Sequence, residues 1–453
     1  MKKHLLIVGI IFLFIVVSFQ SVFANDKNIS CISAIFDDKT CNISTYYNLY
    51  DKYILFTPTY SGIVYLIDMN GTIVHTWRGS TMTGLDVHLF KCGDVLRSFI
   101  PGISPTFIGG GMTGCVERIN WRGKITWSFE YFTDKVCLHH DFEVLPNGNI
   151  LMIAWELKTE AEAIQAGRNP DKILFGQLWS DHIIEINPVN NKIFWEWHAW
   201  DHLIQDYDQT KDNYGVVGDH PELIDINFIT TESNKRDWLH TNAVDYNEGL
   251  DQILLSVHNF NEIWVIAHNT TTEEASGFRG NLLYRWGNPM AYRAGEIDDQ
   301  KFYRLHDAQW IKDGCSGAGN ILIFNNGCVR GYSSVDEIVP PIDDNGNYYS
   351  YEPEEPIWVY DEFFYSPIMS GVERLPNGNT IICDGYKGEF FEVTIEKEII
   401  WNYTNPYPNG MFNDVFKIYQ CDLDYLETIN DFKANFMLGE TSDYVELQVK
   451  ISS

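Results

Sequence analysis

The sequence predicts an all-β fold, a six-bladed β-propeller, and three observations carry that prediction. Aromatic residues make up 15% of the 453-residue chain, a composition suited to pleated, half-buried strands. A tryptophan-bearing strand recurs six times, as GTIVHTW (Trp77), GKITWSF (Trp127), NKIFWEW (Trp195), GNLLYRW (Trp286), EEPIWVY (Trp358) and EKEIIWNY (Trp401). Alternating apolar segments around polar turns precede most of these strands, as in DFEVLPNGNILMIA, and GVERLPNGNTIICD repeats the pattern. Alternation marks a strand, and a Gly-containing polar turn between two such runs marks a hairpin. Four-stranded units repeating at about 45 to 90 residues describe blades set around an axis.

The first unit is short of one strand. YILFTPTY, GIVYLIDMN and TIVHTW supply three strands and no inner one. Near the end of the chain NDVFKIYQCDL, residues 413–423, stands alone as a strand. We expect it to complete the first blade, which removes two exposed sheet edges at once. The propeller is thus expected over residues 51–423. The largest insertions are expected after Trp197 and after Trp238, with YDQTKDNYGVVGDHPELID as an acidic solvated loop on one face. Residues 424–453 are too short for a domain and are expected to pack on the outside.

The chain starts MKKHLLIVGIIFLFIVVSFQSVFAN. A basic start, an apolar run and small residues before Ala24 predict a secretory signal peptide over residues 1–24. Residues 25–50 form an N-terminal segment. The protein is expected to be exported, periplasmic or extracellular, and no later stretch approaches the roughly 20 apolar residues that span a bilayer. The formal net charge of −30 repels nucleic acid and anionic membrane surfaces. An anionic substrate would need a local basic pocket set against that field. The nine cysteines contain no CxxC pair, so no zinc site is expected from them. In an oxidising compartment proximity suggests Cys31–Cys41, Cys92–Cys115 and Cys315–Cys328 as pairs.

Aligning the units on their polar turns superposes His140, His240 in DWLHTNAVDY and His306 in RLHDAQW. Units two and six carry Leu85 and Ser370 there. The shared position starts the innermost strand and is expected to face the channel. Arg330, in FNNGCVRGYSS, follows the second strand of unit five, and its planar guanidinium suits sulfate or phosphate oxygens. Neither a cofactor nor a metal ion is expected. His139, His182, His198, His202, His220 and His258 read mostly as structural or loop residues.

DWLHTNAVDY, LHDAQW, ILIFNNGCVR and the repeated LPNGN resemble the bacterial arylsulfotransferases, exported six-bladed propeller enzymes. The resemblance runs from about residue 50 to 420. It implies transfer of a sulfuryl group from a phenolic sulfate donor to a phenol acceptor without a nucleotide cofactor. It implies that His240, His306 and Arg330 hold the sulfuryl and phenolic oxygens. His140, Trp238, Asn326 and Asn413 are expected to line the substrate site. The family's N-terminal β-sandwich is not expected. Its nucleophilic histidine lies on the late strand, which here reads MFNDVFKIYQ, with Asn413, Asp414 and Val415 at the site. No histidine follows His306. Direct transfer with His240 or His306 as base, and covalent transfer through His140, are therefore both open. So are a propeller that binds an aromatic or anionic ligand without turnover, and a quinone-dependent dehydrogenase.

Overall fold

The structure is a computed structural model that describes residues 52–59, 61–81, 83–101, 109–228, 236–343, 345–349, 353–409 and 412–422. The expected signal peptide, the N-terminal segment to residue 50, the Cys31–Cys41 pair and the extension from 424 lie outside the described residues.

Six four-stranded antiparallel sheets stand around one axis. Blade one consists of Val415–Asp422, Lys52–Pro58, Ile63–Asp68 and Ile73–Arg78, in that order from the axis outward. The late strand pairs with the first one from Lys52↔Asp422 to Phe56↔Ile418, so the predicted closure forms. Blades two to six start at Thr83, Val136, Thr241, His306 and Gly371. They end on the predicted tryptophan strands. Among the described residues only two short α-helices interrupt the strands, Glu160–Gln165 and Thr272–Ala275.

Burial follows the position of a strand in its blade. Gln252–Val257 and Glu262–Ala267 are buried throughout, whereas outer Ile125–Glu130 alternates exposed and half-buried residues. A middle strand is covered by a neighbouring blade on both faces, and an outer one meets water. The apolar core accordingly divides into clusters between adjacent blades. Leu151 and Ile153 of blade three meet Ile253 and Leu255 of blade four, and Leu55 and Val64 of blade one meet Val87 and Val95 of blade two.

The recurring tryptophan has a specific task. Trp127 donates its indole N–H to Asn191 Oδ1 at 2.8 Å, Trp195 to Thr270 Oγ1 at 3.1 Å and Trp286 to the Pro353 carbonyl at 2.7 Å. Trp358 donates to the Ile395 carbonyl at 3.0 Å and Trp401 to the Met69 carbonyl at 2.7 Å. Each acceptor belongs to the next blade, and the last link joins blade six to blade one. Trp77 reaches blade two through an edge contact with Trp121 at 5.4 Å. An indole buries a large apolar area and keeps one donor for a turn carbonyl, at about 0.5–1.5 kcal/mol per hydrogen bond.

The axis carries an ionic hub. Lys417 of the closing strand places Nζ 2.7 Å from Asp141 Oδ1, 3.6 Å from Asp86 Oδ1 and 3.7 Å from Asp307 Oδ1. Those carboxylates come from blades three, two and five. Asp141 Oδ2 and Asp307 Oδ2 accept backbone N–H groups of Val244 and Val372 in the following blades at 3.0 and 2.8 Å. Gly371 leaves the room, since a Cβ there would sit 2.6 Å from both Asp307 Oδ2 and Lys417 Cβ.

Two of the expectations about the fold need correction. After Trp238 there is no insertion, because the chain enters blade four at Thr241. The segment after Trp197 is the expected largely solvated loop, with residues 206–223 exposed or half-buried apart from Val217, and its ends are anchored: Leu203–Ile204 pairs in parallel with Ile224–Asp225, and Gln205 and Asp225 are fully buried. Neither Cys92–Cys115 nor Cys315–Cys328 is bridged. Cys92 Sγ instead accepts from Arg118 at 3.3 Å, and Cys328 Sγ donates to the Pro367 carbonyl at 3.1 Å.

Candidate active site

In blades three, four and five the inner strand carries an irregularity at or beside the aligned channel position. Registers shift between Leu138 and Phe142, between Thr241 and Ala243, and between His306 and Gln309. His140, His240 and Ser370 adopt left-handed backbone there, with φ of 57°, 54° and 91°. In blade five the left-handed residue is Asp307, with φ of 49°. Such a backbone costs an L-residue about 1–2 kcal/mol, and it concentrates at functional sites where the surroundings over-determine it.

The aligned imidazoles meet, and a fourth joins them. Ring centroids lie 4.6 Å apart for His140 and His240, 4.7 Å for His240 and His258, and 5.5 Å for His258 and His306. Phe416 of the closing strand completes the circle, 6.1 Å from the His140 ring and 6.2 Å from that of His306. The resemblance implies a nucleophilic imidazole on that strand, and the side chain found facing the cluster is an apolar phenyl ring.

The imidazoles differ in charge state for identifiable reasons. His240 Nδ1 lies 2.5 Å from Asp237 Oδ2. Burial works against its cation, yet the carboxylates of Asp237 and, farther off, Asp181 hold its pKa above the usual 6.5. Asp237 is fixed by an indole N–H from Trp155 to Oδ1 at 3.0 Å. His306 donates from Nδ1 to Asn326 Oδ1 at 2.7 Å, which leaves Nε2 with its lone pair. Burial, against the pull of Asn326, takes its pKa down to about 4. Asn326 is locked in turn by the carbonyls of Ser366 and Met369, at 2.8 and 2.9 Å. His258 repeats the device through Asn259 Oδ1 at 2.9 Å, and burial beside His240 keeps it neutral. Arg304 adds a guanidinium whose charge acts on His240 and His258. His240, held towards its protonated form, and the Arg304 guanidinium thus bring positive character to the axis of an acidic chain, beside two imidazoles held towards their neutral forms.

His140 is differently placed. Its Nδ1 lies 2.8 Å from Nδ1 of His139, which stacks on Trp155 at 4.0 Å. Its Nε2 faces the turn at Gly111, where a Cβ would fall 2.0 Å from that nitrogen and φ is +80°. Gly111→Ala is therefore expected to displace His140 and lower turnover by at least about tenfold. The matched control is Gly123→Ala, an equally left-handed glycine with open space around it. Equal rates for the two variants in the same aryl-sulfate assay would remove His140 from the site.

The remaining sequence-predicted residues lie elsewhere or act indirectly. Arg330 donates to Ser334 Oγ at 2.9 Å and lies over the rings of Tyr303 and Tyr332, with no contact to the imidazoles. Trp238 is 1% exposed, donates to the Phe228 carbonyl and packs on Phe260, so it is core and no substrate wall. Asn413 ties the Lys387 and Asn405 carbonyls together at 2.8 and 2.9 Å and holds a loop. Asn326 orients His306 and does not line the opening. Sequence reasoning set His258 aside and missed Asp237, Asn259, Arg304 and Phe416. One signal was present: Asp237 stands three residues before His240 in DWLH, and Asn259 directly follows His258.

The arylsulfotransferase (ASST) family model matches residues 44–407. The chain belongs to this family. No curated protein sequence matches the chain. Solved structures similar to this arylsulfotransferase-family chain include a protein of unknown function from Bacteroides caccae. That match has 12% identity and a TM-score of 0.46, and covers 82% of this chain and 98% of that one. Apo AztD from Citrobacter koseri is similar at 9% identity and a TM-score of 0.39, with 82% and 98% covered. Virginiamycin B lyase from Staphylococcus aureus is similar at 10% identity and a TM-score of 0.35, with 79% and 85% covered. Among the described residues no helix is long and apolar enough to cross a membrane.

Proposed function

We propose that this arylsulfotransferase-family protein is an exported enzyme that moves a sulfuryl group directly from a phenolic sulfate to a phenol, without a covalent enzyme intermediate. The observation that carries the reading is the pairing of His240, whose proton Asp237 helps to hold, with His306, whose burial favours the neutral ring, across a single cluster. Phe416 on the closing strand supports direct transfer, because the position facing His140 and His306 offers no nucleophile.

Sulfuryl transfer, like phosphoryl transfer, depends mainly on positioning and charge stabilisation. His240 and Arg304 hold the sulfuryl oxygens. The acceptor phenol gives its proton to Nε2 of His306 as its oxygen bonds to sulfur. The sulfur–oxygen bond to the donor breaks, and the departing phenoxide takes the Nε2 proton of His240. Solvent exchange resets both imidazoles. An acid and a base whose environments push their pKa values apart give that division of labour. Export rests on the leader sequence of residues 1–24.

Purified protein given a chromogenic aryl sulfate should release the phenol only when an acceptor phenol is present. Release without acceptor, as a burst equal to the enzyme concentration, would indicate a sulfo-enzyme and sink direct transfer. No release under either condition would favour a binding propeller. The pH profile of kcat/KM follows from the two imidazoles. Activity should rise with pH through about 4 as His306 loses its proton. It should fall again above 6.5 as His240 loses its own. A profile flat from pH 4 to 9 would overturn the assignment.

A further inference from the structure

Away from the axis, blade three carries a second cluster of donor groups. Its second, third and fourth strands are Ile150–Thr159, Gln177–Asn187 and Lys192–His198. His182 stands opposite both Ala154 and His198 in the strand registers. Residues opposite one another share a face, as do residues two apart on one strand. Glu156, His182 and His198 therefore project from the same face of the blade, whereas His140 lies on the first strand.

We propose that these three residues form a site for a divalent ion of the zinc class. A carboxylate oxygen of Glu156 and one nitrogen from each imidazole all lie within 4.8 Å of one another. His182 is 1% exposed, and its Nδ1 is buried with no hydrogen-bond partner; Glu156 Oε1 is likewise buried and unpartnered. An unpaired polar atom in the interior is costly, and a cation between these atoms satisfies both. The outer nitrogens are already held, as in metal sites whose histidines engage an oxygen through the other ring nitrogen. His182 Nε2 meets Tyr131 Oη at 3.2 Å, and His198 Nε2 meets Glu196 Oε2 at 3.1 Å. That leaves Nδ1 of each ring for the ion, with His198 Nδ1 at 3.3 Å from Glu156 Oε2. Lys158 Nζ also contacts Glu156 Oε2, at 2.9 Å, so Oε1 is the oxygen left for the metal.

Two imidazoles and one carboxylate match the borderline-soft donor set of zinc, with bonds of about 2.0–2.2 Å and one position open to water. Binding requires a local movement. The two rings are parallel to within 1°, with centroids 4.9 Å apart, so their lone pairs do not converge on one point. His198, whose side chain is 26% exposed, is the ring with room to turn. The ion clamps the outer strand to the two inside it, where the chain leaves for the insertion at Ala199.

The test uses full-length protein stripped with a chelator, then titrated with zinc chloride by calorimetry and followed by thermal unfolding. The expected result is one zinc per chain at this site, with a dissociation constant of about 10 µM or tighter and a raised unfolding temperature. Glu156→Gln and His198→Ala should each weaken this binding at least about tenfold while keeping the metal-free unfolding temperature. Because the axial imidazoles are also potential ligands, His258→Ala is the comparison and should leave this zinc in place. The site is overturned if wild-type protein takes up no zinc. It is also overturned if zinc survives in both blade-three variants, or if His258→Ala abolishes it.

Discussion

His240→Asn is expected to lower kcat/KM for aryl-sulfate transfer by about 10²–10⁴-fold, the range associated with a positioned general acid. Asparagine is the informative replacement. Its side-chain amide can still donate to Asp237, and it tolerates the left-handed backbone that His240 adopts at φ 54°. What it lacks is the Nε2 proton and the positive charge. The thermal transition should therefore hold while turnover collapses. Asp237→Asn supplies a readout that a purely structural role would not move. Burial favours neutral His240, and the Asp237 carboxylate overcomes it. Removing that charge should shift the alkaline limb of the pH profile to lower pH, below the position set by the wild-type pair. Unchanged rates in His240→Asn, or an unmoved alkaline limb in Asp237→Asn, would take the dyad out of the chemistry.

Lys417→Met should be the most destabilising of the substitutions considered, by about 3–5 kcal/mol, because it strips the cation from buried carboxylates. Asp86, Asp141 and Asp307 converge on that ammonium. Burial already pushes the Asp86 carboxyl well up and that of Asp307 to about 6, with Lys417 pulling both down. The sign of the pH dependence follows. A carboxyl whose folded pKa lies above its unfolded 3.8 disfavours the native state once pH exceeds that raised value, and not below the unfolded one. The deficit of Lys417→Met should therefore be largest near neutral pH and shrink on acidification towards pH 4. Denaturant unfolding at two pH values measures it. Adding Asp141→Asn to Lys417→Met should cost less than the sum of the two single changes, since the pair is in contact. Additive costs, or a pH-independent deficit, would show that the hub does not hold the ring together.

The architecture was legible because its causes are local and periodic. Alternating strands, Asn-Gly turns and an outer tryptophan per blade each leave a mark in the sequence. The missing first inner strand and the orphan late strand could be matched by counting. The axial hub was equally visible and was overlooked: Asp86, Asp141 and Asp307 each directly follow the aligned channel position. Three of the four clustered imidazoles were found by the same alignment.

Other features could not be read from spacing. Arg330 and Arg304 lie 26 residues apart by their numbers, and only the folded backbone decides which guanidinium acts on the imidazoles. His258 lies in the turn just after the second strand of blade four, not at the start of a first one, so no repeat rule points to it. Phe416 enters from the far end of the chain through ring closure. Charge states depend on burial and on partners such as Asp237 and Asn326, whose orientation is a tertiary fact. The sequence by itself thus determined the blades, their order and closure, and the family. The tertiary structure alone decided which side chains share the axis, which imidazole is charged, and that Glu156, His182 and His198 face one another. Strand formation responds to local pattern, whereas electrostatics responds to distance and desolvation, which exist only once the blades have packed.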